Sequence, residues 1–182
     1  MRKAVILDRD GTLNVDHGYV YRKEDWQFTP GAPEALKKLQ DAGFVLTIAT
    51  GQSGIGRGKY SEDDMHTLHA HMRALLKESA VVIEAIAFCP HAPEEGCACR
   101  KPELGMYTQL VDAVGPIDSA QSWMVGDKLD DLRFGVAAGL NTVLLKSRYW
   151  HEDELVALNV KPTFVAASLH EAAEFIVKVL PR

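Results

Sequence analysis

Two aspartates one residue apart, Asp8 and Asp10, follow directly on the apolar run Ala4-Val5-Ile6-Leu7, and Gly11 comes next. A short apolar run stopped by a turn signal reads as a buried strand. Side chains alternate along a strand, so positions i and i+2 can face one small volume. Two carboxylates that close repel each other unless a proton or a cation lies between them. Taken alone, the pair also reads as a strand running into an acidic turn. Its chemistry depends on what else the chain brings to the same place.

Three further residues stand at comparable positions. Thr50 ends a second apolar run, Phe44 to Ala49, and opens a loop to Lys59 with glycines at 51, 54, 56 and 58. Such a loop lets backbone N–H groups approach an anion closely, or serves as a connector. Asp127 follows the run Ser122 to Gly126 and begins a second acidic turn, Asp127-Lys128-Leu129-Asp130-Asp131. Lys101 lies shortly before a helix. Phosphoryl transfer fits this set. A carboxylate attacking a phosphate dianion needs a cation to offset repulsion and to stabilise the equatorial oxygens. Asp8 and Asp127, with a backbone carbonyl near Asp10, offer oxygen ligands to Mg2+. Lys101 adds fixed positive charge, and the Thr50 hydroxyl is a neutral donor to phosphate. If Asp8 attacks, Asp10 can protonate the leaving alkoxide and then activate water.

A second constellation is Cys89, His91, Cys97 and Cys99. Three thiolates and an imidazole make the ligand count of a closed structural Zn2+ site. These are all the cysteines of the chain, and they fall within eleven residues, which a disulfide framework would not need. A zinc-tied loop would hold Arg100 and Lys101 rigidly at the mouth of a cleft. The other reading is three reduced cysteines in a loop.

The elements that must position these groups can be read in order. Gly11 to Pro30 has no convincing period and reads as loop. Ala32 to Ala42 reads as a helix on Ala35, Leu36 and Leu39. Ser61 with Asp64 forms a capping box before a helix whose apolar face is Met65, Leu68, Met72, Leu75 and Leu76. His66, His69 and His71 on that helix read as solvated or hydrogen-bonded, not as metal ligands. Val81 to Phe88 reads as a third strand, Gly105 to Val114 as a helix, and Leu132 to Ala137 as a helix closed by Gly139. Asn141 to Leu145 is a fifth strand. Arg148 to Asn159 reads as a cover over the sheet edge, and Thr163 to Ala166 as a last strand. Ser168 with Glu171 is a second capping box, opening a helix to about Val179.

Strands alternating with helices imply a doubly wound α/β fold with a parallel sheet. Ligands bind such sheets beyond the carboxyl ends of the strands, where strand order reverses. Asp8, Thr50 and Asp127 stand at such ends. With 182 residues, and no repeat or linker, residues 1–182 read as one domain. The net charge of −5 gives no basic surplus for a nucleic-acid partner. No run has membrane-spanning length and no signal peptide is evident, so no membrane, a cytoplasmic location and a monomer are the expectations.

Asp8-Arg9-Asp10-Gly11-Thr12, Thr50, Lys101 and Gly126 to Asp131 together resemble the four motifs of the haloacid dehalogenase-like (HAD) phosphatases, over nearly the whole chain. Cys89-Pro90-His91 with Cys97-Ala98-Cys99-Arg100-Lys101-Pro102 resembles their zinc-bearing branch, which acts on heptose 1,7-bisphosphate or histidinol phosphate. Asp16 to Tyr19 and Gln52 to Gly58 look like the heptose members. The resemblance implies a Rossmann-like core without a large cap domain. It implies Asp8 as nucleophile, Asp10 as acid/base, and Mg2+ held by Asp8, Asp10 and Asp127. Thr50 and Lys101 would steady the phosphoryl group. Asp16, His17, Gly18, Tyr19, Gly51, Gln52, Ser53, Arg57, Arg100 and Lys128 would contact the sugar or its second phosphate. The product would feed heptose synthesis for lipopolysaccharide. A histidinol-phosphate or broad sugar-phosphate phosphatase is the alternative, and a non-catalytic zinc-stabilised binding protein a further one. Gly51 stands where the family usually has Asn, and Gly56 where it more often has Ala. Two extra glycines should loosen the loop, each by about 0.5–1 kcal/mol of ordering cost.

Overall fold

The computed structural model describes residues 1–180; Pro181 and Arg182, the end of the expected 1–182 domain, lie outside the described residues. Six strands form one all-parallel sheet: β1 Ala4–Leu7, β2 Val45–Gly51, β3 Ala85–Cys89, β4 Trp123–Gly126, β5 Asn141–Leu145 and β6 Phe164–Ala166. Their order is β3-β2-β1-β4-β5-β6, so the direction of winding reverses between β1 and β4. The helices are α1 Ala32–Asp41, α2 Ser53–Gly56, α3 Glu62–Glu78, α4 Gly105–Val114, α5 Leu129–Ala137, α6 Glu152–Ala157 and α7 Leu169–Lys178.

Both faces of the sheet are covered, which is why its strands read as unbroken apolar runs. On one face Val5, Leu7, Leu46, Ile48 and Val125 pack with Leu36 and Leu39 of α1, Met72 and Leu76 of α3, and Ile176 of α7. On the other, Ala4, Ile6, Ala49, Ala87 and Met124 pack with Met106 and Leu110 of α4 and Phe134 of α5. The capping box at Ser61 forms as expected: Asp64 N–H donates to Ser61 Oγ, and Ser61 N–H to the Asp64 carboxylate.

Three expectations are corrected. β3 begins at Ala85, not Val81. Val81 and Ile83 are buried, so their apolarity serves the core from an irregular segment. The glycine-rich loop carries one helical turn, α2, as soon as β2 ends. The second capping box is half formed: Ser168 Oγ accepts from Glu171 N–H at 3.2 Å, but the Glu171 carboxylate takes Ala167 N–H instead. The expected cover over the sheet edge forms: it contains α6, and Trp150 seats it against Leu132 and Leu144.

Candidate active site

The reversal of strand order brings the acidic turns together. Asp8 N–H donates to Val125 O at 2.9 Å, locking the end of β1 to β4 two residues before Asp127. Asp8, Asp127 and Asp131 are all buried, and their carboxylate oxygens lie within 4.8 Å of one another. Gly11 makes this crowding possible, since a Cβ there would lie 2.2 Å from Asp127 Oδ2.

Lys101 is inserted between them. Its Nζ donates to Asp8 Oδ1 at 2.8 Å, to Ala49 O at 2.9 Å and to Asp131 Oδ1. Burial opposes its charge, but Asp131 and Asp8 outweigh burial and hold the ammonium protonated. The carboxylates pay the electrostatic cost. Burial pushes Asp8 up, and Asp131 adds to it against Lys101 and Lys128. Burial, then Asp8 and Asp131, push Asp127 up to about 8.

Asp131 is a residue that sequence reasoning quoted but gave no role. Its Oδ2 accepts Asp127 N–H at 3.1 Å and Lys128 N–H at 3.0 Å, while Oδ1 takes Lys101. It therefore shapes the turn and anchors the lysine. Asp127 Oδ1, in contrast, is buried with no hydrogen-bond partner among the described residues. A buried carboxylate oxygen without a donor is the chemistry of a cation ligand.

Asp10 stands apart from that cluster. Its Oδ1 accepts from Arg9 Nη2 at 2.9 Å and Asn14 Nδ2 at 3.0 Å, and its Oδ2 from Gln52 Nε2 at 3.1 Å. Three donors already hold the side chain, which is compatible with the expectation that Asp10 offers a cation its backbone carbonyl. Arg9 itself is fully buried, and its Nη1 lies 3.1 Å from His69 Nε2. His69 is thus a hydrogen-bonded core histidine, and burial followed by the Arg9 charge lowers it to about 3. Its unfolded form protonates below about pH 6.5 while the folded form stays neutral. Stability should therefore fall as pH drops from 6.5, by about 1 kcal/mol over the first unit. His69→Gln should flatten that limb in urea titrations at pH 6.5 and 5.5; an unchanged limb would contradict the neutral assignment.

A cavity of about 150 Å³ opens over these groups, lined by Asp8, Asp10, Gly51, Ser53, Arg100, Lys101, Lys128, Asp130 and Asp131. The expected contacts Gly51, Ser53, Arg100 and Lys128 are therefore at the site. Thr50 is buried beside it, its Oγ accepting from Gln52 Nε2 at 2.8 Å. Gln52, expected as a substrate contact, is also buried and faces Asp10, Thr50 and Tyr60. His17, Gly18 and Tyr19 line a separate hollow of about 370 Å³ with Tyr21, Arg22 and Lys59. Arg57 is exposed and turns toward Glu94, 3.9 Å away. Asp16 reaches the mouth of the cleft, where Tyr149 Oη donates to it at 2.6 Å and Lys128 Nζ lies 4.0 Å off. Tyr149, whose ring also carries Lys128 Nζ at 4.7 Å, had no periodic signal to mark it.

The second constellation also assembles. Sγ of Cys89 and Cys97 are 3.5 Å apart, as are those of Cys97 and Cys99, and His91 Nδ1 is 3.2 Å from Cys99 Sγ. Tetrahedral Zn–S bonds of about 2.3 Å require ligand separations of about 3.7 Å, so the set fits a zinc ion. Arg100 N–H donates to Cys97 Sγ at 3.3 Å, a backbone hydrogen bond that would orient the sulfur as a thiolate ligand. The loop after β2 leans on this one through Gln52 N–H to Cys89 O at 2.7 Å and Gly56 N–H to Pro90 O at 2.8 Å.

That contact revises the reading of the two glycines. A Cβ at Gly56 would lie 2.7 Å from Ala92 N and 2.9 Å from Pro90 O, so Gly56 is required by packing against backbone. At Gly51 a Cβ would meet nothing within 4 Å, and the position faces the cavity. Gly56→Ala should cost about 1–3 kcal/mol in chemical denaturation. Gly51→Asn should fold as well as the parent and lower KM or raise kcat. A neutral Gly56→Ala, or a loss of activity at Gly51→Asn, would overturn these assignments.

Comparison with known proteins follows the same lines. A family model described as HAD-hydrolase-like matches residues 98–172. A D-glycero-beta-D-manno-heptose-1,7-bisphosphate 7-phosphatase of Haemophilus ducreyi is 49% identical over 151 residues, covering 79% of this chain and 82% of the relative. The protein of that name from Escherichia coli K12 is 43% identical over 149 residues, 78% of each chain. Among solved structures, a D,D-heptose 1,7-bisphosphate phosphatase from B. bronchiseptica, complexed with magnesium and phosphate, matches with a TM-score of 0.87 at 33% identity. It covers 98% of this chain and 99% of that one. Sheet order, carboxylate cluster and relatives agree, and this chain belongs to the heptose-1,7-bisphosphate 7-phosphatase family of the HAD-like hydrolases.

Proposed function

We propose that residues 1–182 act as one Mg2+-dependent phosphatase domain that hydrolyses D-glycero-D-manno-heptose 1,7-bisphosphate at C7, leaving heptose 1-phosphate for lipopolysaccharide-type heptose synthesis. The observation that carries this reading is the buried Asp8–Asp127 pair, with Asp127 Oδ1 unpartnered among the described residues, beneath a cavity ringed by Arg100, Lys101 and Lys128. A binding protein would have no use for so costly an arrangement. The substrate is argued from the relatives, whose names carry it.

In this reading Asp8 attacks the C7 phosphorus and the bond from phosphorus to the sugar oxygen breaks. Asp10, protonated, gives its proton to that oxygen, and an aspartyl-phosphate forms on Asp8. Asp10, now ionised, takes a proton from water, whose oxygen attacks the phosphorus and restores the Asp8 carboxylate. Lys101 and the Thr50 hydroxyl hold the phosphoryl oxygens, and Arg100 and Lys128 face the substrate's remaining charge. Asp8, Asp127 and the Asp10 carbonyl would hold Mg2+, which supplies charge neutralisation for a dianionic substrate.

Cys89, His91, Cys97 and Cys99 would hold a structural Zn2+. Reduced thiols suit the cytoplasm, where we place the protein. We take the protein to act as a monomer. No described helix is long and apolar enough to cross a membrane.

The test is phosphate release with Mg2+ from heptose 1,7-bisphosphate and from histidinol phosphate, side by side. A kcat/KM at least about 100-fold higher for the bisphosphate is expected; equal rates would replace the reading with a generalist phosphatase.

A further inference from the structure

The side-chain amide of Gln52 sits between Asp10, Thr50 and Tyr60 and has a hydrogen-bond partner in each. Its NH2 end faces Asp10, whose Oδ2 accepts from Gln52 Nε2 at 3.1 Å. The same Nε2 lies 2.8 Å from Thr50 Oγ. The Gln52 oxygen therefore points the other way, and there the Tyr60 hydroxyl donates to it. Burial raises Tyr60 to about 12, so that hydroxyl carries its proton at any working pH. The Tyr60 ring is itself buried and stacked on Tyr21, centroids 4.9 Å apart and planes 9° from parallel.

Two consequences reach the reacting groups. Because Thr50 Oγ accepts from Gln52, its own hydrogen is free to point at a phosphoryl oxygen. Because Asp10 Oδ2 accepts from the same amide, the acid/base carboxyl is held at a fixed angle. Were the amide to flip, its oxygen would face the Asp10 carboxylate and would draw the Thr50 proton out of the cleft. On the far side the Tyr60 hydroxyl donates to the Gln52 oxygen and fixes where that end of the amide sits.

We propose that Tyr60 is a positioning residue of the phosphatase site, acting through the Gln52 amide to orient Asp10 and the Thr50 hydroxyl together. This rests on the roles given to Asp10 and Thr50 under Proposed function. It also explains how a loop with glycine at position 51 stays ordered: the lock lies behind the loop, in the side chains of Gln52 and Tyr60.

The test is a double-mutant cycle of Tyr60→Phe and Gln52→Leu, read as kcat and KM for Mg2+-dependent release from heptose 1,7-bisphosphate. Tyr60→Phe keeps the ring and its stack on Tyr21 and removes only the donor. It should lower kcat about tenfold with KM within about twofold. Gln52→Leu should lose at least as much, and the double variant no more than Gln52→Leu alone. A Tyr60→Phe enzyme with the parent's kcat, or losses that multiply, overturns the proposal while a dead Asp10→Asn control leaves the site reading standing. A parent without activity on the bisphosphate removes that reading and this proposal with it.

Discussion

Asp8→Asn is expected to abolish Mg2+-dependent phosphate release while raising the melting temperature of the metal-free protein. The amide oxygen can still accept from Lys101 Nζ, now 2.8 Å from Asp8 Oδ1, so the local geometry survives. What would disappear is the proposed nucleophile, and a loss of at least ~10³-fold in kcat is expected. The stability gain has a separate cause. Burial and Asp131 raise Asp8 above its ordinary value, so the folded state prefers the protonated form. Above the unfolded carboxyl range its charge therefore costs stability, and removing that charge returns it. The expected result is a higher melting temperature than the parent's. Thermal melts and phosphate release on the same preparations check both halves. A variant with parental activity would remove Asp8 as nucleophile. A dead variant with a lower melting temperature would show that Lys101 needs the full charge of Asp8.

The second large effect is expected at the cysteine cluster. Cys97→Ser should lower the zinc content from about one ion per chain, destabilise the fold, and reduce kcat about 100-fold. The activity loss follows from connectivity. Arg100 N–H hangs on Cys97 Sγ, and Lys101 is the next residue. Gln52 N–H and Gly56 N–H hang on Cys89 O and Pro90 O, so the loop after β2 shares the same anchor. Loosening one loop therefore displaces the cation beside Asp8 and the segment that carries Thr50 and Gln52. Elemental analysis, denaturation and kinetics on one sample separate the steps. Full activity in zinc-free protein would make the cluster irrelevant to positioning.

Strand ends were the most legible feature of the sequence. Asp8, Thr50 and Asp127 each stop an apolar run, and a doubly wound sheet must bring such stops to one edge. The cysteine set was legible from ligand types alone. β3 was read too long because Val81 and Ile83 are buried without being in a strand, and periodicity cannot distinguish the two. The supporting groups were illegible for a different reason. Asp131 reaches back to two N–H groups at the start of its own helix and across to Lys101, thirty positions away. An acid in the first turn of a helix is a weak hint of the first contact and none of the second. Arg9, His69 and Tyr60 act through contacts that span β1, the loop after β2 and α3, which only the fold defines. Gln52 lay in a loop that resembled a substrate loop, yet its side chain points inward.

The most direct test of the central claim is a ³¹P NMR time course of the protein with heptose 1,7-bisphosphate and Mg2+. Loss of the C7 phosphate signal, growth of inorganic phosphate and persistence of the C1 signal are expected, with no change when Asp8→Asn replaces the parent. Loss of the C1 signal, or release from both positions at similar rates, would contradict a site built to cleave at C7.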